Sequence, residues 1–196
     1  MRQWILIRHG ESVANAQGIL SGWLDVPLTE RGVHQATRVG EILGQWPFEA
    51  VWSSDLQRAF QTAQLALAEH KSRTGRSFEV QRSAAFRERF FGPLQGTLKS
   101  NLQRDGKVSP LKLWASQDSS IESFDDLARR LLPQMDIATQ CSCQVLFAHG
   151  GVVRLLAGLI EGKKKAEIAA YHIENATPVV VQSPQQGWTS LMPELF

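Results

Sequence analysis

The chain has 196 residues, a formal net charge of +2, and 43% hydrophobic against 20% charged residues. That length suits one well-cored domain, and the near-neutral charge excludes a nucleic-acid binder held by a broad basic face. The apolar stretch 152–160 is too short to span a membrane and is broken by Arg154. Taken in chain order, an apolar run over 3–7 predicts a buried parallel strand that stops abruptly at Arg8-His9-Gly10. A short helix is expected over 11–15, then a loop, and Pro27 keeps Val26 extended. Thr29 caps a helix reaching about Leu43, with Val33, Ala36, Val39, Ile42 and Leu43 at helical spacing and Gly44 beyond its end. A second strand is expected over 48–52. Ser54 with Gln57 then reads as a capping box opening a helix to about Glu69.

A third, shorter strand is expected over 78–81, and 86–96 carries Arg87, Glu88 and Arg89 before Gly92-Pro93. The polar segment 97–120, with Gly106 and Pro110, reads as an inserted lid. Ser123 caps a helix to about Met135. A fourth strand over 144–148 ends at His149-Gly150-Gly151, and helices follow over 152–160 and 164–172. Two last strands are expected over 179–182 and 188–191, joined as a hairpin. The result is an α/β fold: a three-layer αβα sandwich with a mostly parallel sheet of about six strands, one antiparallel edge strand, and one domain over 1–196. The first stretch lacks a signal-peptide pattern. Cys141 and Cys143 stand one residue apart, which is neither a disulfide framework nor a zinc pattern. A reducing, cytoplasmic setting is therefore expected, with neither membrane nor nucleic acid as a partner.

Three strand-to-helix junctions share one character. The first delivers Arg8, His9 and Gly10, the second Arg58, the third His149, Gly150 and Gly151. Right-handed crossovers bring all three to one edge of the sheet. Two arginines, two histidines and several glycines at one edge suit a phosphoryl group: guanidinium forks match its oxygens, and a neutral imidazole can attack phosphorus. Plainer readings stay open: Arg58 pairing with Asp55, Glu88 with Arg87 or Arg89, His149 as a buried strand-end residue, and Asn15 as a helix C-cap.

The chain resembles the histidine phosphatase superfamily, in the branch holding phosphoglycerate mutases and related phosphatases. The matching residues are Arg8 to Asn15, Gly22 to Thr29, Ser53 to Ala59 with Gln61-Thr62-Ala63, Arg87 to Gly96, Glu122-Ser123-Phe124 and Ala148 to Gly151. The resemblance implies a metal-independent phosphomonoester hydrolase that needs no cofactor. His9 would be the nucleophile, passing through phosphohistidine, and Glu88 the general acid and base. Arg8, Arg58 and His149 would bind the phosphoryl oxygens. Asn15, Ser21, Gly22, Gly150 and Lys99 would border the substrate, a small phosphorylated metabolite.

A mutase of this resemblance carries two arginines after a tryptophan in the insert, where this chain has Leu111-Lys112-Leu113-Trp114-Ala115-Ser116. It also has asparagine where Gly151 stands and tyrosine where Phe91 stands, although Lys99 matches a mutase lysine. The balance favours a phosphatase, with Phe90, Phe91, Leu94 and Trp23 as an apolar wall. The alternatives are a phosphoglycerate mutase or other phosphotransferase, and a catalytically silent phosphate-binding module.

Overall fold

The computed structural model describes residues 2–104 and 119–192. Its centre is β1 (Gln3–Arg8), whose Trp4, Ile5, Leu6 and Ile7 are fully buried. Alternate side chains of a strand leave opposite faces of the sheet, so an uninterrupted apolar run needs cover on both. Trp4 and Leu6 pack into one core with α5 (Phe124–Ala138) and α6 (Gly150–Ile160). Ile5 and Ile7 pack into a second core with α2 (Glu30–Leu43) and α3 (Gln57–Thr74). These are the three layers expected from the alternation of strands and helices.

Among the described residues the sheet has five strands. With β2 (Ala50–Ser54), β3 (Val80–Ser83), β4 (Cys143–Ala148) and β5 (Pro178–Gln182), the order is β3, β2, β4, β1, β5. All neighbours run parallel except β5, the expected antiparallel edge. Arg8 lies level with Ala148, and Ser53 with Phe147, so the carboxyl ends of β1, β2 and β4 reach the same edge. Short helices α1 (Val13–Ala16), α4 (Lys99–Arg104) and α7 (Lys165–Ala170) complete the helices of the described residues. Among the described residues no helix is long and apolar enough to cross a membrane.

Four expectations need correction. The sixth strand does not form: Trp188–Leu191 is a 3₁₀ turn. Its leading N–H groups go to a carboxylate instead of a ladder, with Trp188 N donating to Asp136 Oδ1 at 2.6 Å and Thr189 N to Oδ2 at 3.0 Å. Trp188 is fully buried, and this burial explains its apolar signal. The β2 and β3 strands each begin two residues later than expected, because Phe48 and Phe78 stack on one another instead, centroids 4.4 Å apart. Helix α3 runs on to Thr74, where Gly75 closes it in the left-handed conformation. Ser54 does not cap α3: its hydroxyl accepts from Leu56 N and bonds His149. The expected caps Thr29 and Ser123 hold as read. Most of the expected lid, including the run around Trp114, lies outside the described residues.

Candidate active site

His9 follows the end of β1, and its geometry is set from several sides. Its N–H donates to Ala148 O at 2.9 Å, and its carbonyl accepts from Asn175 Nδ2 at 2.7 Å. The ring Nδ1 lies 2.6 Å from Gly10 O. A carbonyl only accepts, so Nδ1 carries the proton and Nε2 carries the lone pair. Nε2 in turn accepts from Arg58 Nε at 3.2 Å. Burial, then the Arg58 and Arg8 cations, hold the imidazole well below its ordinary pKa. The ring is therefore a neutral base whose one in-plane electron pair accepts from a guanidinium.

The turn that fixes Gly10 O is a close packing of backbone on backbone. A Cβ on Gly10 would overlap Gly32 O, and one on Gly32 would overlap Glu11 O. Gly10 N also donates to Thr62 Oγ1 at 3.0 Å, and that hydroxyl donates to Arg58 O at 2.7 Å. His9, the turn and Arg58 thus form one unit.

The arginines beside His9 are oriented by carbonyls. Arg58 is fully buried and donates to Leu24 O at 2.9 Å and Gly22 O at 2.7 Å. Burial lowers its pKa to about 10, which leaves it a cation at neutral pH. Arg8 donates to Ile173 O at 2.6 Å, and its Nε is buried without a hydrogen-bond partner among the described residues. The alternative partner Asp55 takes Arg87 instead, through a two-pronged pair at 2.6 and 2.8 Å. His149 caps no backbone group. Its ring stands edge-on to His9, centroids 5.2 Å apart, with Nε2 2.9 Å from Ser54 Oγ. Burial first, then Arg58, keep it neutral as well.

Glu88 faces this group across a cavity of about 220 Å³. Its carboxylate accepts from Arg89 N at 2.8 Å and from Gly151 N, in the first turn of α6, at 3.1 Å. Its backbone carbonyl is held by Trp23 Nε1 at 2.6 Å and Arg130 at 2.9 Å. A Cβ on Gly151 would overlap the Glu88 carboxylate, so the bare backbone at this position admits the acid.

All five residues expected around a substrate (Asn15, Ser21, Gly22, Gly150 and Lys99) line the cavity with Arg8, His9, Arg58 and Glu88. His149 stands behind His9 and is not part of the lining. Of the expected apolar wall, only Phe91 is in place, joined by Ile19, Leu20 and Leu102. Trp23 and Phe90 stack on each other behind it, 5.0 Å apart. Three cavity or buttress residues escaped the sequence reading. Arg154 and Arg89 line the cavity, and Asn175 braces it. Arg154 lies one helical turn beyond Gly150 on α6, a spacing that places it on the face of the expected site. Asn175 sits in a loop where no periodicity marks it.

Comparison with known proteins agrees with this geometry. The model of the histidine phosphatase superfamily (branch 1) matches residues 4–194. A 2,3-bisphosphoglycerate-dependent phosphoglycerate mutase of Chlamydia muridarum is 26% identical over 94% of this chain and 95% of its own. Among solved structures, a mycobacterial glucosyl-3-phosphoglycerate phosphatase complexed with VO3 aligns with a TM-score of 0.77. It shares 27% identity, over 93% of each chain. A candidate α-ribazole-5′-P phosphatase of Escherichia coli aligns with a TM-score of 0.77 and 25% identity, over 95% of this chain and 92% of its own. With its match running almost end to end, the chain belongs to the histidine phosphatase superfamily, branch 1, and is an enzyme of that type.

Proposed function

We propose that the chain hydrolyses a small phosphomonoester through a phosphohistidine on His9, without a metal ion. The observation that carries this reading is the His9 tautomer: Nδ1 is tied to Gly10 O, so Nε2 presents its lone pair beside Arg58. In the first step the Nε2 pair forms a bond to phosphorus, the bond to the ester oxygen breaks, and Glu88 gives that oxygen a proton. In the second step Glu88 takes a proton from water as the water oxygen attacks phosphorus. The nitrogen–phosphorus bond breaks, and inorganic phosphate leaves.

Arg8 and Arg58 stabilise the charge that gathers on the phosphoryl oxygens, in the manner of a preorganised oxyanion site, and His149, expected among them, supports the group from behind His9. Asn15, Ser21, Gly22, Gly150 and Lys99 border the bound ester. The similar mycobacterial protein, named as a glucosyl-3-phosphoglycerate phosphatase, was solved in complex with VO3, which supports an oxyanion as a ligand of this kind of protein. The bare Gly151 beside Glu88 favours hydrolysis over a mutase, which resembles this chain with asparagine there.

The test is hydrolysis of p-nitrophenyl phosphate by the wild type and His9→Ala, with and without EDTA. Activity that survives EDTA and disappears in His9→Ala is expected. Activity abolished by EDTA, or kept by His9→Ala, overturns the mechanism. The mutase reading rests on Lys99 in the cavity and on the chlamydial relative. It requires interconversion of 2- and 3-phosphoglycerate.

A further inference from the structure

We infer that Asn175 is a positioning residue that turns the Asn15 amide so that its NH₂ faces the bound anion. The inference rests on the reading above in taking the cavity as the phosphoryl site. Asn175 Nδ2 donates to His9 O at 2.7 Å and reaches Asn15 Oδ1 at 3.4 Å. Ser12 N donates to the same Asn15 oxygen at 3.2 Å. Two N–H donors therefore converge on one side of the Asn15 amide. Turned round, the amide would set its own NH₂ against both donors. The orientation is fixed by this network, with Oδ1 inward and Nδ2 left for the cavity that Asn15 lines.

Asn175 is itself held in place. Its loop is stitched to the end of β1: Ala176 N donates to Arg8 O at 2.8 Å, and Arg8 donates to Ile173 O at 2.6 Å. Its Nδ2 faces two oxygens, so its own amide has one favourable orientation as well. One side chain thus clamps the main chain of His9 and aims the donor of Asn15. An N–H pair aimed at an anion contributes to binding, and a mis-aimed amide presents a lone pair that repels it.

The test is the affinity for inorganic phosphate, by calorimetry, of four proteins: wild type, Asn175→Ala, Asn15→Ala and the double variant. Asn175→Leu, close in shape but without a donor, accompanies them. Both Asn175 variants are expected to bind phosphate roughly tenfold or more weakly than wild type, the loss of one hydrogen bond to a charged group. In the Asn15→Ala background the same change should cost less than about twofold, because there is no amide left to aim. Melting curves and kcat for p-nitrophenyl phosphate run alongside. An equal penalty in both backgrounds, no penalty, or a loss of binding that only tracks a lowered melting temperature overturns the inference. Wild type that binds phosphate without hydrolysing any monoester overturns the hydrolase reading and leaves this one standing. Wild type that does not bind phosphate overturns both.

Discussion

Gly151→Ala separates catalysis from stability. Gly151 lies in the first turn of α6, and the atoms nearest an added Cβ all belong to the Glu88 carboxyl group. The obstacle is thus the far end of a flexible side chain, which can swing away at little cost to the fold. Alanine is the better helix former by about 1 kcal/mol, so the melting temperature should hold or rise. The acid does not escape so lightly. It loses its 3.1 Å bond from Gly151 N and leaves the position where that bond and Arg89 N hold it. A displacement near 1 Å from productive geometry costs about 100-fold in rate.

The readout is kcat/KM, which in a ping-pong reaction reports the steps up to phosphoenzyme formation. An alkyl phosphate needs its leaving oxygen protonated, whereas p-nitrophenolate leaves readily without help. The loss should therefore approach about 100-fold for glycerol phosphate and be clearly smaller for p-nitrophenyl phosphate. Equal losses on both substrates, or a fall in melting temperature that accounts for the loss, would refute Glu88 as an acid seated by Gly151.

Three further outcomes follow from the same structure. The acid limb of kcat/KM, corrected for substrate ionisation, should lie below pH 6.5, because burial, Arg58 and Arg8 lower the His9 pKa. Replacing Arg58 by Ala should move that limb upward; a limb that stays fixed would exclude the cation as a cause. His70, 2% exposed, has both ring nitrogens buried without a hydrogen-bond partner among the described residues, against Phe48 and Phe78. Burial lowers its pKa, so the unfolded chain takes up a proton near pH 6.5 that the folded chain refuses. Its share of stability is present above that pH and is lost as pH falls, by no more than about 1.4 kcal/mol per unit. Urea titrations between pH 5 and 7 should show a shallower slope for His70→Phe; an unchanged slope would count against His70. Asp136→Ala strips the 3₁₀ turn at Trp188 of its acceptor and should cost about 1–3 kcal/mol of unfolding free energy while leaving kcat/KM unchanged.

The candidate site was legible in the sequence because its residues sit where apolar runs end. Arg8 closes one buried strand, His9 and His149 follow strands whose burial gives a strong signal, and Arg58 lies in the first turn of the helix after another. What stayed hidden was carried by hydrogen bonds, which leave no periodic trace. Ser54 fits a local capping pattern with Gln57, yet its hydroxyl turns to His149, a residue far away in sequence. Trp188 looks like a strand residue because a fully buried tryptophan is apolar in any conformation. The carboxylate that pulls its backbone into a 3₁₀ turn comes from Asp136 on another element. Asn175 has no local pattern at all, and its meaning lies wholly in the two oxygens it faces.

The choice of partners for the basic residues explains why this edge of the sheet favours an anion. Arg87 is neutralised by Asp55, and Arg130 by Glu122 at 2.5 Å, so both serve as struts. Arg8 and Arg58 have no ion pair within 4 Å among the described residues; they donate to the carbonyls of Ile173, Leu24 and Gly22 and to the neutral imidazole of His9. A carbonyl orients a guanidinium but does not cancel its charge. The two cations are thus held rigid without a directly paired carboxylate, and Glu88 acts on both only from a distance, in a buried site where charge–charge interactions are stronger than in water. The same field that lowers the His9 pKa would also attract a phosphoryl dianion. Glu88, the one acid lining the cavity among the described residues, is held by backbone N–H groups on its own side. A carboxylate in place of any one of those three carbonyls would satisfy the arginine equally well and would remove the attraction.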